Sequence, residues 1–253
     1  MIQIFTSVVN RPDFLLLQNK LFQKFLKNDY QFHVIDDAVD TIISEQFNSI
    51  CLENQFSYYK KPERTTKLNP AQACADTVQW TYDTIIKQNH KDDVVFFCDS
   101  DLFLIEEFDI LEYMSDAIIA GLPQRRGDIT YMWNGIMFFN MPKMKELNID
   151  FSDGVVEGEM TDVGGHTYYY FKKNNVKMKR TDEECPTYPT HFNEIDLQNE
   201  EVTRGYNFEL HLDGKFLHYR AGTNWHSNWR GSNDPLVKKT VIFNQIIENI
   251  FEE

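Results

Sequence analysis

Asp99-Ser100-Asp101 ends the most apolar run of the chain, Val94-Val-Phe-Phe-Cys98, and a second apolar group, Leu102-Phe103-Leu104, follows at once. Two carboxylates two residues apart at a strand end can share one hard divalent cation, Mn²⁺ or Mg²⁺, and still leave positions open for diphosphate oxygens. The spacing alone arises often by chance. Its setting carries the reading, because core-forming residues on both sides make unpaired carboxylates costly there. The plainer alternative is an aspartate pair that caps turns where a strand stops.

Something must hold that motif, and the surrounding pattern predicts an α/β sheet. Residues 2 to 9 read as a buried strand closed by Asn10, Arg11 and Pro12, and Pro12 suits the first turn of a helix. Phe14, Leu17, Leu21 and Phe25 then give that helix one apolar face, and Tyr30 to Ile35 reads as a second strand ending in Asp36-Asp37. Asn69 and Pro70 open another helix with Ala71, Ala75, Val78, Tyr82 and Ile85 as its stripe. Further strands are expected at 117 to 120 and 135 to 140. Alternating strands and helices imply a mostly parallel central sheet flanked by helices, with ligands beyond the carboxyl ends of its strands. Residues 145 to 215 read as irregular and polar, and 235 to 251 as a terminal helix with Val237, Val241, Ile246 and Ile250 on one side.

Composition narrows the chemistry. At 253 residues with 42% apolar content, one domain is expected. A formal charge of −14 argues against nucleic acid as a partner, since phosphate backbones are gripped by clustered Lys and Arg. An anionic substrate would need a metal or a local cationic pocket. No run approaches membrane-spanning length, and no leader pattern precedes the first strand. Cys51, Cys74, Cys98 and Cys185 form no CxxC pair, which fits a reducing, cytoplasmic setting.

With these motifs in hand, the chain resembles the GT-A glycosyltransferases over most of its length. In that fold a DxD motif, here Asp99-Ser100-Asp101, binds the metal and the nucleotide sugar. The segment Met132-Trp-Asn-Gly-Ile-Met-Phe-Phe-Asn140 is similar to the Asn-Ala/Ser-Gly-Val strand of the retaining, glycogenin-like members, which implies that Asn134 and Gly135 line the donor-sugar pocket. Thr161-Asp162-Val163-Gly164-Gly165 stands in the place of their Asp-Gln-Asp loop. Phe216 to Trp225 is similar to their His-x-x-Gly-x-x-Lys-Pro-Trp, with one residue more between His218 and Gly222, and Thr223-Asn224 where Lys-Pro would be. The resemblance implies His218 as third metal ligand, with Gly222 and Trp225 at the donor; a lone histidine in an apolar run is otherwise a hydrogen-bonded core residue.

The implied activity is transfer of a sugar from a nucleotide diphosphate carrier, expected to be UDP, to a glycan or other acceptor, with retention. One domain over 1–253 is expected: a nucleotide-binding half over about 1–101, a donor-sugar and acceptor half over about 102–235, and the helix 236–253. Asn10 and Arg11 stand where this fold holds the nucleoside, and Ser100 joins the donor contacts. Asp36 or Asp37 would accept hydrogen bonds from base or ribose, or simply make turns. Arg64 and Lys67, or Arg220 and Arg230, would supply cations to the diphosphate, or lie as solvated charges. Asp76 would hydrogen-bond the sugar or be exposed. Asp162 is the candidate beside the anomeric carbon, because Gly164-Gly165 would let substrate approach and Tyr168 to Tyr170 could stack on sugars. A HAD-type phosphotransferase would continue its Asp-x-Asp with Gly-Thr, not Leu102-Phe103. A nucleotidyltransferase would carry a glycine-rich loop where Thr6 to Arg11 has none. A non-catalytic carbohydrate-binding relative keeps the same motifs.

Overall fold

The computed structural model describes residues 1–62, 68–181, 208–219, 222 and 234–252, with the side chains of 234–238 left aside. Strand β1 (Ile2–Val8) is almost wholly buried, polar Gln3 and Thr6 included, and Pro12 starts helix α1 (Pro12–Phe25), which buries Phe14, Leu15, Gln18, Leu21 and Phe22. The chain returns as β2 (Tyr30–Asp36), parallel to β1. Helix α2 (Thr41–Asn54) follows, capped by the Asp40 side chain on the amides of Ile42 and Ile43, and leads to β3 (Ser57–Lys60). Helix α3 (Pro70–Thr81) begins with a capping box between Asn69 and Gln72, which satisfies two orphan amides. It runs on through a π turn, Tyr82–Ile86, into a last turn, α4 (Lys87–Asn89).

Strand β4 (Val94–Asp99) then enters the middle of the sheet, and β5 (Leu102–Leu104) and α5 (Ile110–Met114) follow it. A long hairpin, β6 (Ile119–Arg126) and β7 (Ile129–Asn140), is turned at Gly127 with φ +53°. Next come a small hairpin, β8 (Gly154–Val156) and β9 (Glu159–Thr161), helix α6 (Thr167–Asn174) and β10 (Lys179–Arg180). Strands β11 (Glu209–His211) and β12 (Phe216–His218) precede the final helix α7 (Asp234–Glu252).

The main sheet has the order β10-β6-β7-β4-β1-β2-β3. Its pairings are parallel except at β7, which runs antiparallel to both β4 and β6. Alternation along β1 sends Ile2, Ile4 and Val8 into one core, shared with α1 and α2, and Phe5 into another, shared with α3. The expected mixed α/β architecture with a mostly parallel, helix-flanked sheet is therefore present. A second sheet, β11-β12-β5, lies beside it and packs with α1 and α7 through Phe14, Phe103, Leu217, Tyr219 and Phe243. Among the described residues no helix is long and apolar enough to cross a membrane.

Several local expectations give way. Strands β6 and β7 are far longer than 117 to 120 and 135 to 140, because their outer halves pair with each other across polar positions such as Arg125 and Thr130. The segment expected to be irregular contains β8, β9, α6, β10 and β11. In α7 the packing falls on Phe243, Ile246 and Ile247, while Val241 is exposed.

Beneath the sheet, His33 stacks on Phe5 with ring centroids 4.4 Å apart, and its Nε2 lies 2.7 Å from Gln3 Oε1. Burial, with the neighbouring His90 adding to it and Asp93 opposing, lowers its pKa to about 4. The ring is then neutral in the fold while the unfolded chain protonates near 6.5. Stability from this residue is intact above about pH 6.5 and falls toward about pH 4, by on the order of 3 kcal/mol at most. Urea unfolding at pH 7.5 and pH 5 measures it: His33→Gln should lose less stability than the wild type over that interval, and equal losses would rule the residue out.

Candidate metal and donor site

The acidic motif is a turn between β4 and β5 held from behind by α1. Gln18, buried on that helix, donates from Nε2 to the carbonyl oxygens of Asp99 and Leu102, both at 2.8 Å. Ser100 and Asp101 are 3% and 5% exposed, and Asp99 is partly open. The chain returns to the turn at its far end: Tyr219 N donates to Asp101 O at 2.8 Å, and Gly222 N donates to Asp101 Oδ2 at 2.7 Å. A Cβ on Gly222 would stand 2.7 Å from Asp101 Cβ and 2.9 Å from Phe14 Cε2. Only glycine lets that backbone approach the carboxylate so closely. Gly222 thus holds Asp101, a more specific place than the donor contact the motif implied.

Strand β12 brings His218 to the same spot, because its antiparallel register with β5 sets His218 opposite Leu102. The ring is buried; Nε2 lies 3.5 Å from Asp101 Oδ1 and Nδ1 lies 2.9 Å from Glu209 Oε2. Each of Asp99, Asp101 and His218 offers one ligand atom, and these atoms all lie within 4.8 Å of one another. Such a set, two carboxylate oxygens and an imidazole, suits Mn²⁺ or Mg²⁺.

The electrostatics fit a cation too. Burial first, and the Asp101 charge second, push the Asp99 carboxyl up to about 7, against the pull of His218. Burial also opposes the charge of Asp101, but His218, the Gly222 amide and Lys239 outweigh it and hold that carboxyl below its ordinary value. Burial would lower His218 as well; Asp101 and Glu209 reverse this and raise it to about 10. Lys239, buried on α7, donates to Tyr219 O at 2.6 Å just behind the turn. Even so, the Asp99 carboxyl stays repelled, which a divalent ion would relieve.

The donor-side residues divide. Asn134 is fully buried; its Nδ2 donates to Phe151 O at 3.2 Å, while its Oδ1 has no hydrogen-bond partner among the described residues. An orphaned acceptor of this kind is costly and fits a ligand hydroxyl. Gly135 lies under the Trp133 indole, whose atoms a Cβ would meet at 2.0 Å. Trp133, which the sequence reading passed over, also packs on His218 with centroids 5.3 Å apart. Asp162 is partly buried and accepts from Val163 N at 2.8 Å. Burial first, then Asp99, Asp162, Asp37 and Asp101, raise the thiol of Cys74 on α3.

Gly164 and Gly165 do not open the loop to substrate as expected. A Cβ at Gly164 would meet Met132 O at 1.9 Å, and one at Gly165 would meet Thr161 Oγ1 at 1.8 Å, so both glycines serve packing against β7 and β9. Tyr168 to Tyr170 lie on α6; Tyr170 is buried and donates to Glu146 O, which leaves Tyr169 exposed.

Asp36 is withdrawn from the site. It is wholly buried and accepts from Ala38 N, Ser44 Oγ and Tyr58 OH, with Lys60 Nζ at 3.3 Å. Its neighbour Asp37 faces the helix side, where Thr77 Oγ1 donates to it at 2.8 Å and Lys61 Nζ lies 3.9 Å away. Lys61, buried and unforeseen, pairs with Asp76 at 2.6 Å, so Asp76 is neither isolated nor merely exposed. Arg11 lies over the Phe14 ring at 3.5 Å and pairs with Asp13, beside half-buried Asn10 at the end of β1. Arg64, Lys67 and Trp225, with Arg220, Arg230 and Thr223-Asn224, lie outside the described residues.

No protein-family model matches the chain, and no curated protein sequence does. Among solved structures it is similar to an active-site mutant of LgtC, at 11% identity and TM-score 0.49, over 88% of this chain and 92% of that one. Mouse xyloside xylosyltransferase 1 follows at 10% and 0.48, over 88% and 99%. The mannosyltransferase PcManGT from Pyrobaculum calidifontis, solved with GDP-Man and Mn²⁺, stands at 11% and 0.44, over 72% and 55%. All three fall below a TM-score of 0.5, so the functional reading rests on the site itself.

The charge balance at the turn has an opposite sign at its two ends. Ionisation of Asp99 costs stability as pH rises through about 7, whereas ionised Asp101 contributes stability above the ordinary carboxylate range. At pH 8 in EDTA, Asp99→Asn should raise Tm and Asp101→Asn should lower it. Thermal unfolding of the two variants beside the wild type checks this, and the reverse order would contradict it.

Proposed function

We propose that this chain is a metal-dependent glycosyltransferase of the GT-A type that moves a sugar from a UDP-linked donor to a glycan or other acceptor, with retention at the anomeric carbon. The observation that carries the reading is the convergence of Asp99, Asp101 and His218 at the carboxyl end of the central strand, where each offers one ligand atom and these atoms all lie within 4.8 Å of one another. Ligands of α/β sheets bind beyond those strand ends. Bound there by these three residues, Mn²⁺ or Mg²⁺ would neutralise the diphosphate and the charge that grows on it as the glycosidic bond lengthens.

The chain's own residues then have separable tasks. Asn10 and Arg11, at the end of β1, would bind the nucleoside, and Asp37 takes over the role that Asp36 cannot fill. Asn134 offers its unsatisfied Oδ1 to a donor-sugar hydroxyl. Lys61 and Asp76, paired at the mouth of α3, would bind hydroxyls further out. In the transfer, the bond between anomeric carbon and diphosphate oxygen breaks and its electron pair leaves with UDP. The acceptor oxygen bonds to the same carbon from the same face and passes its proton to the departing phosphate. The transition state resembles an oxocarbenium ion, and the Asp162 carboxylate would steady that positive charge.

Binding should depend on the cation. UDP with Mn²⁺ should raise Tm and EDTA should cancel the rise, because a ligand that binds only the folded state stabilises it. Undiminished UDP binding in metal-free buffer would remove the assignment of Asp99 and Asp101. Release of UDP from a panel of UDP-sugars identifies the donor and separates an enzyme from a carbohydrate-binding relative, which releases none.

Stereochemistry tests the finer reading. From an α-linked donor, NMR of the product should show an α linkage, and Asp162→Asn should lower kcat by at least about 100-fold if its charge stabilises the transition state. A β-linked product refutes retention, and near-normal turnover in the variant removes Asp162 from the mechanism.

A further inference from the structure

His218 is gripped from both sides by carboxylates, and only one side is open. Glu209 stands directly across from it in the β11–β12 register, with Oε2 2.9 Å from Nδ1 and both side chains less than one-tenth exposed. Beyond Glu209 lies His211, fully buried, with Nε2 3.7 Å from the same Oε2. The Trp133 indole packs against both histidine rings, with centroids 5.3 Å and 6.4 Å away. On the other side, Nε2 faces Asp101 and, past it, partly open Asp99.

Resting on the metal reading above, we propose that Glu209 is a positioning residue that accepts the Nδ1 proton of His218 and so aims the Nε2 lone pair at the cation. A metal-bound imidazole is the neutral form, with one N–H and one lone pair, and the hydrogen bond at one nitrogen decides which nitrogen coordinates. A buried carboxylate accepting Nδ1–H fixes both the tautomer and the ring plane, and it makes the ligand more basic. Glu209, His211 and His218 also offer ligand atoms within 4.8 Å of one another. All three members of that set are buried and Trp133 packs on both of its rings, whereas Asp99 is partly exposed. The lone pair therefore belongs on Nε2.

Calorimetric titration of the full chain with Mn²⁺ alone tests this. Loss of an outer carboxylate of this kind weakens metal binding by about 10- to 100-fold. Glu209→Ala should show a loss of that size, and Glu209→Gln, which keeps an acceptor oxygen without the charge, a smaller one. ¹⁵N NMR of the His218 ring in Mg²⁺-saturated wild-type protein should find the proton on Nδ1. Unchanged Mn²⁺ affinity in a folded Glu209→Ala, or a proton on Nε2, overturns the proposal. If Glu209→Ala does not fold, Glu209→Gln and the wild-type NMR decide it. Asp101→Asn separates the two layers: a wild type that binds Mn²⁺ and loses it in Asp101→Asn but not in Glu209→Ala leaves the metal site standing without Glu209. A wild type that takes up no Mn²⁺ removes both.

Discussion

Two carboxylates at the end of a core strand set the problem that the rest of the molecule answers. In water a pair of aspartates two residues apart repel weakly. At the end of β4, with Cys98 and Leu102 wholly buried on either side, the same repulsion is strengthened by the loss of solvent. The fold meets it unequally. Asp101 receives the Gly222 amide, the His218 ring and the field of Lys239, and its charge is held. Among the described residues, Asp99 is opposed by burial and by Asp101 and drawn down by His218, and its carboxyl rises to about 7.

The supports recruited to the turn come from every part of the chain. Gln18 reaches from the first helix to pin two carbonyls, β12 pairs with β5 to deliver His218, and the last helix sends in Lys239. This explains why a three-strand sheet sits beside the main one. Its strand β5 is the direct continuation of the acidic turn, so pairing with β5 is the shortest way to fix a ring against Asp101. The close contacts at Gly222, Gly135 and Gly164 belong to the same packing, since each lets another group press against the turn or against β7 at a distance no side chain permits.

What pattern reasoning reads well is local. Strands β1, β2 and β4 carry enough apolar residues to read as buried parallel strands, and α1 and α3 each open on a proline, with a capping box at α3, in addition to their periodicity. Where alternation is broken by charges, as at Arg125 and Arg126, the hairpin extends past the apolar run because strand pairing supplies hydrogen bonds that need no apolar side chain. Helix α2 buries only Phe47 and Cys51, too thin a stripe to announce itself. At Asp36-Asp37 the two side chains diverge at the strand end, one into the core and one toward α3, and a sequence with both residues acidic does not say which is which.

An α/β sheet, a most apolar strand that ends in Asp99-Ser100-Asp101, and a chain too acidic to hold an anion without help can all be read along the primary structure. These follow from periodicity, composition and neighbours a few residues apart. Folding adds that Asp101 is held and Asp99 repelled, that Lys61 and Lys239 are buried, and that Glu209 stands behind His218. The physical reason is range. Burial and charge pairing depend on groups brought together from far along the chain, as Gly222 is to Asp101, and no spacing within a motif encodes that distance.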